Sequence, residues 1–307
     1  PVPCAFRRQD YIDNRHPNYA GDLNVGINPK LADRVRQADA LLLIGTRFGD
    51  IATQGYTLLP PVGHGKRIIH IHADANEPGR VWDTELAITA DAVEFVQALA
   101  ALPPMGGDWK GWTAAARADY EAWKTPRETP GAVKLEQVMR WLSDNVADDA
   151  IATNGAGNYA AWMHRYFRPR AWPGQLAPTS GSMGYGFPAA IAASLEHPEK
   201  TVLCFAGDGC FQMTLNELST ARQHGATPIV ILANNGRYGT IRAHQERTYP
   251  ARVSGTELFN PDYAALVRAY GGHGETVHRT EDFPEAFARA RASGTVAVIE
   301  LILDPEA

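Results

Sequence analysis

Two fully apolar runs, residues 202–206 and 229–233, each stop abruptly at polar turn residues: Gly207-Asp208-Gly209 after the first and Asn234-Asn235-Gly236 after the second. Between them, residues 211–224 place apolar side chains at helical spacing. The pattern predicts strand, turn, helix, strand, turn. In a right-handed parallel βαβ unit both turns leave the sheet at the same edge, so Asp208 and Asn235, 27 positions apart, are expected to meet. A carboxylate and a carboxamide oxygen, with a backbone carbonyl nearby, suit a hard cation. Mg²⁺ is usually held by one or two carboxylates and completed by phosphate oxygens. The glycines let the backbone approach a diphosphate closely where amide N–H groups point outward.

The same alternation extends through the chain. Residues 31–38 and 92–102 have helical spacing, while 41–45 and 67–72 read as buried strands. Strands separated by helical segments argue a parallel sheet covered on both faces. The Pro- and Gly-rich stretch around Pro103-Pro104-Met105 marks a boundary, and 108–124 reads as a helix crossing between domains that ends by Gly131. Trp109, Trp112 and Trp123 are expected to serve it as packing anchors. Residues 133–146 are an amphipathic helix, 150–153 a short strand, 261–270 and 281–292 helices, and 296–303 a last strand. The expected fold class is therefore α/β, two doubly wound parallel-sheet domains with the first incomplete: a central domain at 1–104, a crossing at 105–131 and a second domain at 132–307.

Composition alters this picture little. A chain of 307 residues is long enough for two cores, and a formal charge of −5 gives no basic field for nucleic acid or anionic membrane. No apolar run approaches the roughly 20 residues needed to span a bilayer. Cys4, Cys204 and Cys210 show no metal-ligand spacing, and buried free thiols fit a reducing, cytoplasmic setting. The chain opens Pro1-Val2-Pro3, reading like the middle of a strand, and a piece of a longer protein is expected.

Two further segments carry candidate chemistry. Gly155-Ala156-Gly157-Asn158-Tyr159-Ala160 fits the dinucleotide pattern GxGxxA, yet no Asp or Glu occurs from Tyr159 to Leu195 to hold a ribose. An NADP site would have to use Arg165, Arg168 or Arg170 instead. Gly181-Ser182-Met183-Gly184 precedes a small-residue helix, 25 residues ahead of Asp208 at Met183.

GDG followed by NN at this spacing resembles the motif of thiamine diphosphate enzymes of the acetolactate synthase and 2-oxo acid decarboxylase family. The resemblance implies that Asp208, Asn235 and the Arg237 carbonyl bind Mg²⁺ and that Gly207, Gly209 and Cys210 face the diphosphate. It implies that Tyr238, Gly239 and Thr240 wrap metal and diphosphate and that Asn158 contacts phosphate. The Gly181 carbonyl would accept from the cofactor's 4′-amino group beside Ser182, with Met183 wedging its two rings. Acetolactate synthases have Gln-His-Gln where this chain has Asn158-Tyr159-Ala160, and a substrate-facing Trp at the place of His244, which is a candidate for substrate contact or proton transfer. In the central domain, Arg47 of Gly45-Thr46-Arg47 and Asp74 stand where relatives bind FAD or ADP, and Pro17-Asn18-Tyr19-Ala20-Gly21 resembles the family's HPxYxG segment.

The resemblance implies a thiamine diphosphate- and Mg²⁺-dependent transferase or lyase. Such an enzyme would decarboxylate a 2-oxo acid and pass the resulting carbanion to a carbonyl acceptor, working as a homodimer or homotetramer. The activating glutamate would lie on a pyrimidine-binding domain that this chain lacks, leaving the chain alone inactive and its catalytic residue unassigned. Alternatives are a simple 2-oxo acid decarboxylase releasing an aldehyde, towards which the NNGRYG loop leans, a non-catalytic cofactor-binding module, and an NADP-dependent oxidoreductase.

Overall fold

The computed structural model describes residues 1–104 and 106–306; Met105 in the predicted boundary and Ala307 at the end of the predicted second domain lie outside the described residues. The chain clusters into two compact units, residues 1–9 with 16–123 and residues 10–15 with 124–307. In the first unit β1 (Val2–Cys4) pairs in parallel with β2 (Tyr19–Asp22), and β3 (Ala40–Ile44), β4 (Arg67–His72) and β5 (Leu86–Thr89) form a parallel sheet in that order. Leu31, Leu43, Phe48, Ile68 and Trp82 share its core. The helix Pro29–Gln37 starts where Asn28 Oδ1 accepts from Lys30 N at 3.1 Å. The helix Lys110–Trp123, expected between the domains, groups with the first unit, where Asp119 pairs with Lys30 and Arg34 and the Arg34 guanidinium lies over Trp112.

The second unit is built on a six-stranded parallel sheet of β6 (Ile151–Asn154), β7 (Gln175–Leu176), β8 (Val202–Gly207), β9 (Ile229–Asn234), β10 (His273–Val277) and β11 (Ala297–Ile302). Its order is β10-β11-β9-β8-β6-β7. Alternate residues of the central strands enter two separate cores. Leu203, Phe205, Ile229, Ile231 and Ile299 pack beneath the helices Leu135–Asn145, Tyr159–Tyr166 and Phe283–Ala292, while Val202, Cys204, Val230, Leu232 and Val298 meet Gly186–Glu196, Leu218–His224 and Tyr263–Ala269. Burial on both faces is why these strands carry no polar alternation. The order reverses between β6 and β8, the place where doubly wound sheets open a crevice at their carboxyl edge.

Several elements depart from the sequence pattern. The helix expected over 211–224 is broken into Asp208–Gln212, a turn at Leu215–Glu217 and Leu218–His224, because Thr214 leaves the helix to donate its hydroxyl to the Gly184 carbonyl at 3.0 Å. β10 (HGETV) is an edge strand of mixed polarity, and β5 (LAIT) is an edge strand of only four residues, so neither shows a period-2 signal. The turn expected at 236–240 continues into a helix, Gly239–Thr248, that buries none of its residues and so shows no apolar stripe.

No helix among the described residues is long and apolar enough to cross a membrane. All three cysteines are buried and none forms a disulfide, and burial pushes the Cys204 thiol up to about 12. Thiolate is the reactive form. A disulfide reagent at pH 8 is therefore expected to modify the native chain far more slowly than the unfolded one; fast native labelling at Cys204 would contradict this packing.

Candidate functional site

Gly207 ends β8 opposite Ala233 of β9, so Asp208 and residues 234–236 emerge side by side. Asp208 is 3% exposed. Its Oδ1 accepts from Gly209 N at 2.9 Å, and its Oδ2 accepts from Gly236 N at 2.9 Å and Asn260 Nδ2 at 2.8 Å. Each of these donors is neutral, and among the described residues no cationic side chain pairs with it. Burial accordingly pushes the carboxyl above its usual range despite those hydrogen bonds. A buried anion of this kind is costly unless a cation completes it.

The second turn closes over the same point. Asn235 Oδ1 accepts from Arg237 N at 3.3 Å, and the Arg237 carbonyl accepts from Gly239 N at 3.0 Å. A Cβ on Gly239 would come within 3.4 Å of Asn235 Nδ2 and 3.6 Å of Asn158 Nδ2, and Thr240 Oγ1 donates to Asn158 Oδ1 at 2.8 Å. Asn158, Asn235, Gly239 and Thr240 are thus one cluster. From outside, Tyr238 N donates to the Thr256 carbonyl and Leu258 N to the Gly236 carbonyl, both at 2.8 Å. The Tyr238 ring lies against Gly209, where a Cβ would approach it to 2.5 Å.

Cys210 ties three segments together. Its sulfur accepts from Tyr159 OH at 3.2 Å and from Gly184 N at 3.1 Å. The Tyr159 ring fills a slot between glycines, since a Cβ on Gly157 or Gly207 would come within 2.8 or 2.9 Å of it. On Gly155 a Cβ would sit 2.4 Å from the Cys210 sulfur. The glycines of the GxGxxA turn therefore answer to the packing of the Cys210 sulfur and the Tyr159 ring, a demand they would meet without any dinucleotide.

Other predicted residues are placed less centrally. Gly181, in a left-handed conformation with φ of 73°, and Ser182 are exposed, while Met183 packs partly buried against a core. His244 is exposed, with Nδ1 facing the Arg247 guanidinium. Arg47 and Asp74 follow the ends of the neighbouring strands β3 and β4. Arg47 is largely exposed and approaches Glu77 at 3.4 Å. Asp74 Oδ1 accepts from Asn76 N and Nδ2, both at 2.9 Å, bonds that hold its carboxyl below the usual range.

Sequence pattern alone missed Asn260, Asn234 and Glu300, which sit directly behind Asp208. Asn234 Nδ2 donates to Glu300 Oε1 at 2.7 Å, and Asn234 Oδ1 accepts from Asn260 Nδ2 at 2.8 Å. A signal existed for one of them, because Glu300 is a lone acid within the apolar strand AVIELI. Among the described residues no group of three or more His, Cys, Asp or Glu side chains could hold a metal, so an ion here would rest on a mixed set of oxygens.

Compared with known families, residues 155–301 match the C-terminal TPP binding domain of thiamine pyrophosphate enzymes and residues 1–99 match their central domain. The chain is 29% identical over 290 residues to the acetolactate synthase isozyme 2 large subunit of Escherichia coli (strain K12), covering 93% of this chain and 52% of that protein. It is 31% identical over 325 residues to the acetolactate synthase of Mycobacterium leprae (strain TN), covering 100% and 51%. Among solved structures, the Rhodococcus jostii RHA1 thiamine diphosphate-dependent 4-hydroxybenzoylformate decarboxylase aligns with a TM-score of 0.73 at 23% identity over 95% of this chain and 54% of that one, a likeness of fold. The chain spans about half the length of the curated relatives it matches.

Proposed function

We propose, for a chain that belongs to the thiamine pyrophosphate enzyme family and carries its central and C-terminal domains, that Asp208, Asn235 and the Arg237 carbonyl hold Mg²⁺ against a thiamine diphosphate. The buried Asp208 carboxylate, joined to the opposite turn through Gly236 N at 2.9 Å and lacking a paired cation among the described residues, carries this reading. One carboxylate, one amide oxygen and one carbonyl leave a Mg²⁺ shell to be filled by phosphate oxygens and water. Asn158, Gly209, Cys210, Gly239 and Thr240 would line the diphosphate, the glycines giving it room, and Gly181 and Met183 would meet the rings.

Thiamine diphosphate, when bound, supplies a carbon nucleophile and an electron sink that make loss of CO₂ from a 2-oxo acid accessible. The chain's own part is to bind the charged tail, fix its position and keep water out beneath it, where Tyr159 and Cys210 are packed. The reaction we assign to the full-length protein resembles that of acetolactate synthase: decarboxylation of a 2-oxo acid, then carbon–carbon bond formation with a carbonyl acceptor. A dimer or tetramer, with the activating glutamate on a separate domain, belongs to the same reading. Asn158-Tyr159-Ala160 in place of Gln-His-Gln bears on substrate choice.

Product analysis on the full-length protein with pyruvate and other 2-oxo acids tests this reading. Cofactor-dependent CO₂ release with a hydroxy-keto acid product is expected. An aldehyde as sole product would favour a simple decarboxylase, and no CO₂ from any 2-oxo acid would reject both. Flavin binding near Arg47 and Asp74 would appear as FAD absorbance retained on gel filtration.

A further inference from the structure

We infer that Asn260 is a positioning residue for the cation site, and that its orientation is set by Glu300 acting through Asn234. This rests on the reading just proposed. Glu300 is 5% exposed on β11; its Oε2 accepts from Thr276 Oγ1 at 3.0 Å and its Oε1 from Asn234 Nδ2 at 2.7 Å. An amide facing a carboxylate must present its NH₂ end. The carbonyl end of Asn234 consequently turns to Gly236 N at 3.1 Å, which shares its hydrogen with Asp208 Oδ2 at 2.9 Å and so agrees with the orientation that Glu300 sets.

The orientation of Asn260 depends on that of Asn234. Asn234 Oδ1 takes a hydrogen from Asn260 Nδ2 at 2.8 Å, which brings the NH₂ end of Asn260 to the site and sends its other hydrogen to Asp208 Oδ2 at 2.8 Å. The carbonyl end of Asn260 accepts from Gln212 Nε2 at 2.7 Å and Tyr263 OH at 3.1 Å. Every hydrogen-bonding position of Asn260 is used. At Asp208 the outcome is asymmetric among the described residues: Oδ2 receives two donors, Gly236 N and Asn260 Nδ2, whereas Oδ1 receives Gly209 N alone. Oδ1 is then the oxygen with a lone pair to offer a cation, and Asn260 keeps the carboxylate from rotating to exchange the two.

The test uses the whole chain with thiamine diphosphate present, titrated with Mn²⁺ and read as free ion by electron paramagnetic resonance, beside thermal melting without metal. Asn260→Ala is expected to weaken Mn²⁺ binding by roughly 10- to 100-fold, the usual effect of losing a partner that orients a metal ligand. Glu300→Gln keeps the shape but offers Asn234 either end of an amide, and is expected to weaken binding in the same direction. A purely structural role would lower the melting temperature while folded protein bound Mn²⁺ with wild-type affinity, and that result would overturn the inference. If Asn260→Ala fails to fold, wild-type affinity in folded Glu300→Gln overturns it equally. Should the unsubstituted chain bind no Mn²⁺, the cofactor reading falls and takes this inference with it; normal binding in all three sinks the inference alone.

Discussion

Asp208→Ala is expected to weaken binding of Mg²⁺ and thiamine diphosphate by about 30- to 150-fold, or about 2–3 kcal/mol, the loss of one charge-assisted ligand. The carboxylate is buried, and among the described residues it is bonded only by neutral donors. On the proposed reading, removing it would leave the ion one neutral side-chain oxygen, from Asn235, against a concentrated diphosphate charge. Calorimetric titration of the two chains measures the difference. Equal affinities would mean that the buried acid has another purpose and that the cofactor sits elsewhere.

Gly155→Ala is expected to lower stability by about 1–3 kcal/mol, the usual cost of overfilling a close-packed interior. The added methyl would lie 2.4 Å from the Cys210 sulfur and 3.0 Å from Tyr159 OH, so one partner must move. Because the nearest obstacle is the sulfur, Cys210→Ala should relieve most of the collision. In urea unfolding, the doubly substituted chain should be more stable than the sum of the two single changes predicts. Strict additivity would show that the collision is relieved at no cost and that Gly155 is glycine for some other reason.

The parts legible in the sequence were those whose cause is local. β8 and β9 announce themselves because burial on both faces forbids a polar residue until the turn begins, and Asp208 and Asn235 could be named because parallel neighbours release their turns at one edge. The edge strand β10, HGETV, gives no such sign. The break in the helix after Asp208 depends on a bond between Thr214 and Gly184, 30 positions away, which no periodicity encodes. Asn260 lies 52 positions from Asp208, and Glu300 lies 66 from Asn234, so the polar support behind the site exists only once the fold has assembled. The GxGxxA turn carries two readings for a related reason: its glycines accommodate the Cys210 sulfur and the Tyr159 ring, a demand that imitates close approach to a phosphate.

The most direct measurement is the diffraction of crystals of this chain grown with thiamine diphosphate and Mn²⁺, using the anomalous signal of the metal. One strong peak is expected within coordination distance of Asp208 and Asn235 and beside the diphosphate. A metal and diphosphate bound away from those two side chains would contradict the account.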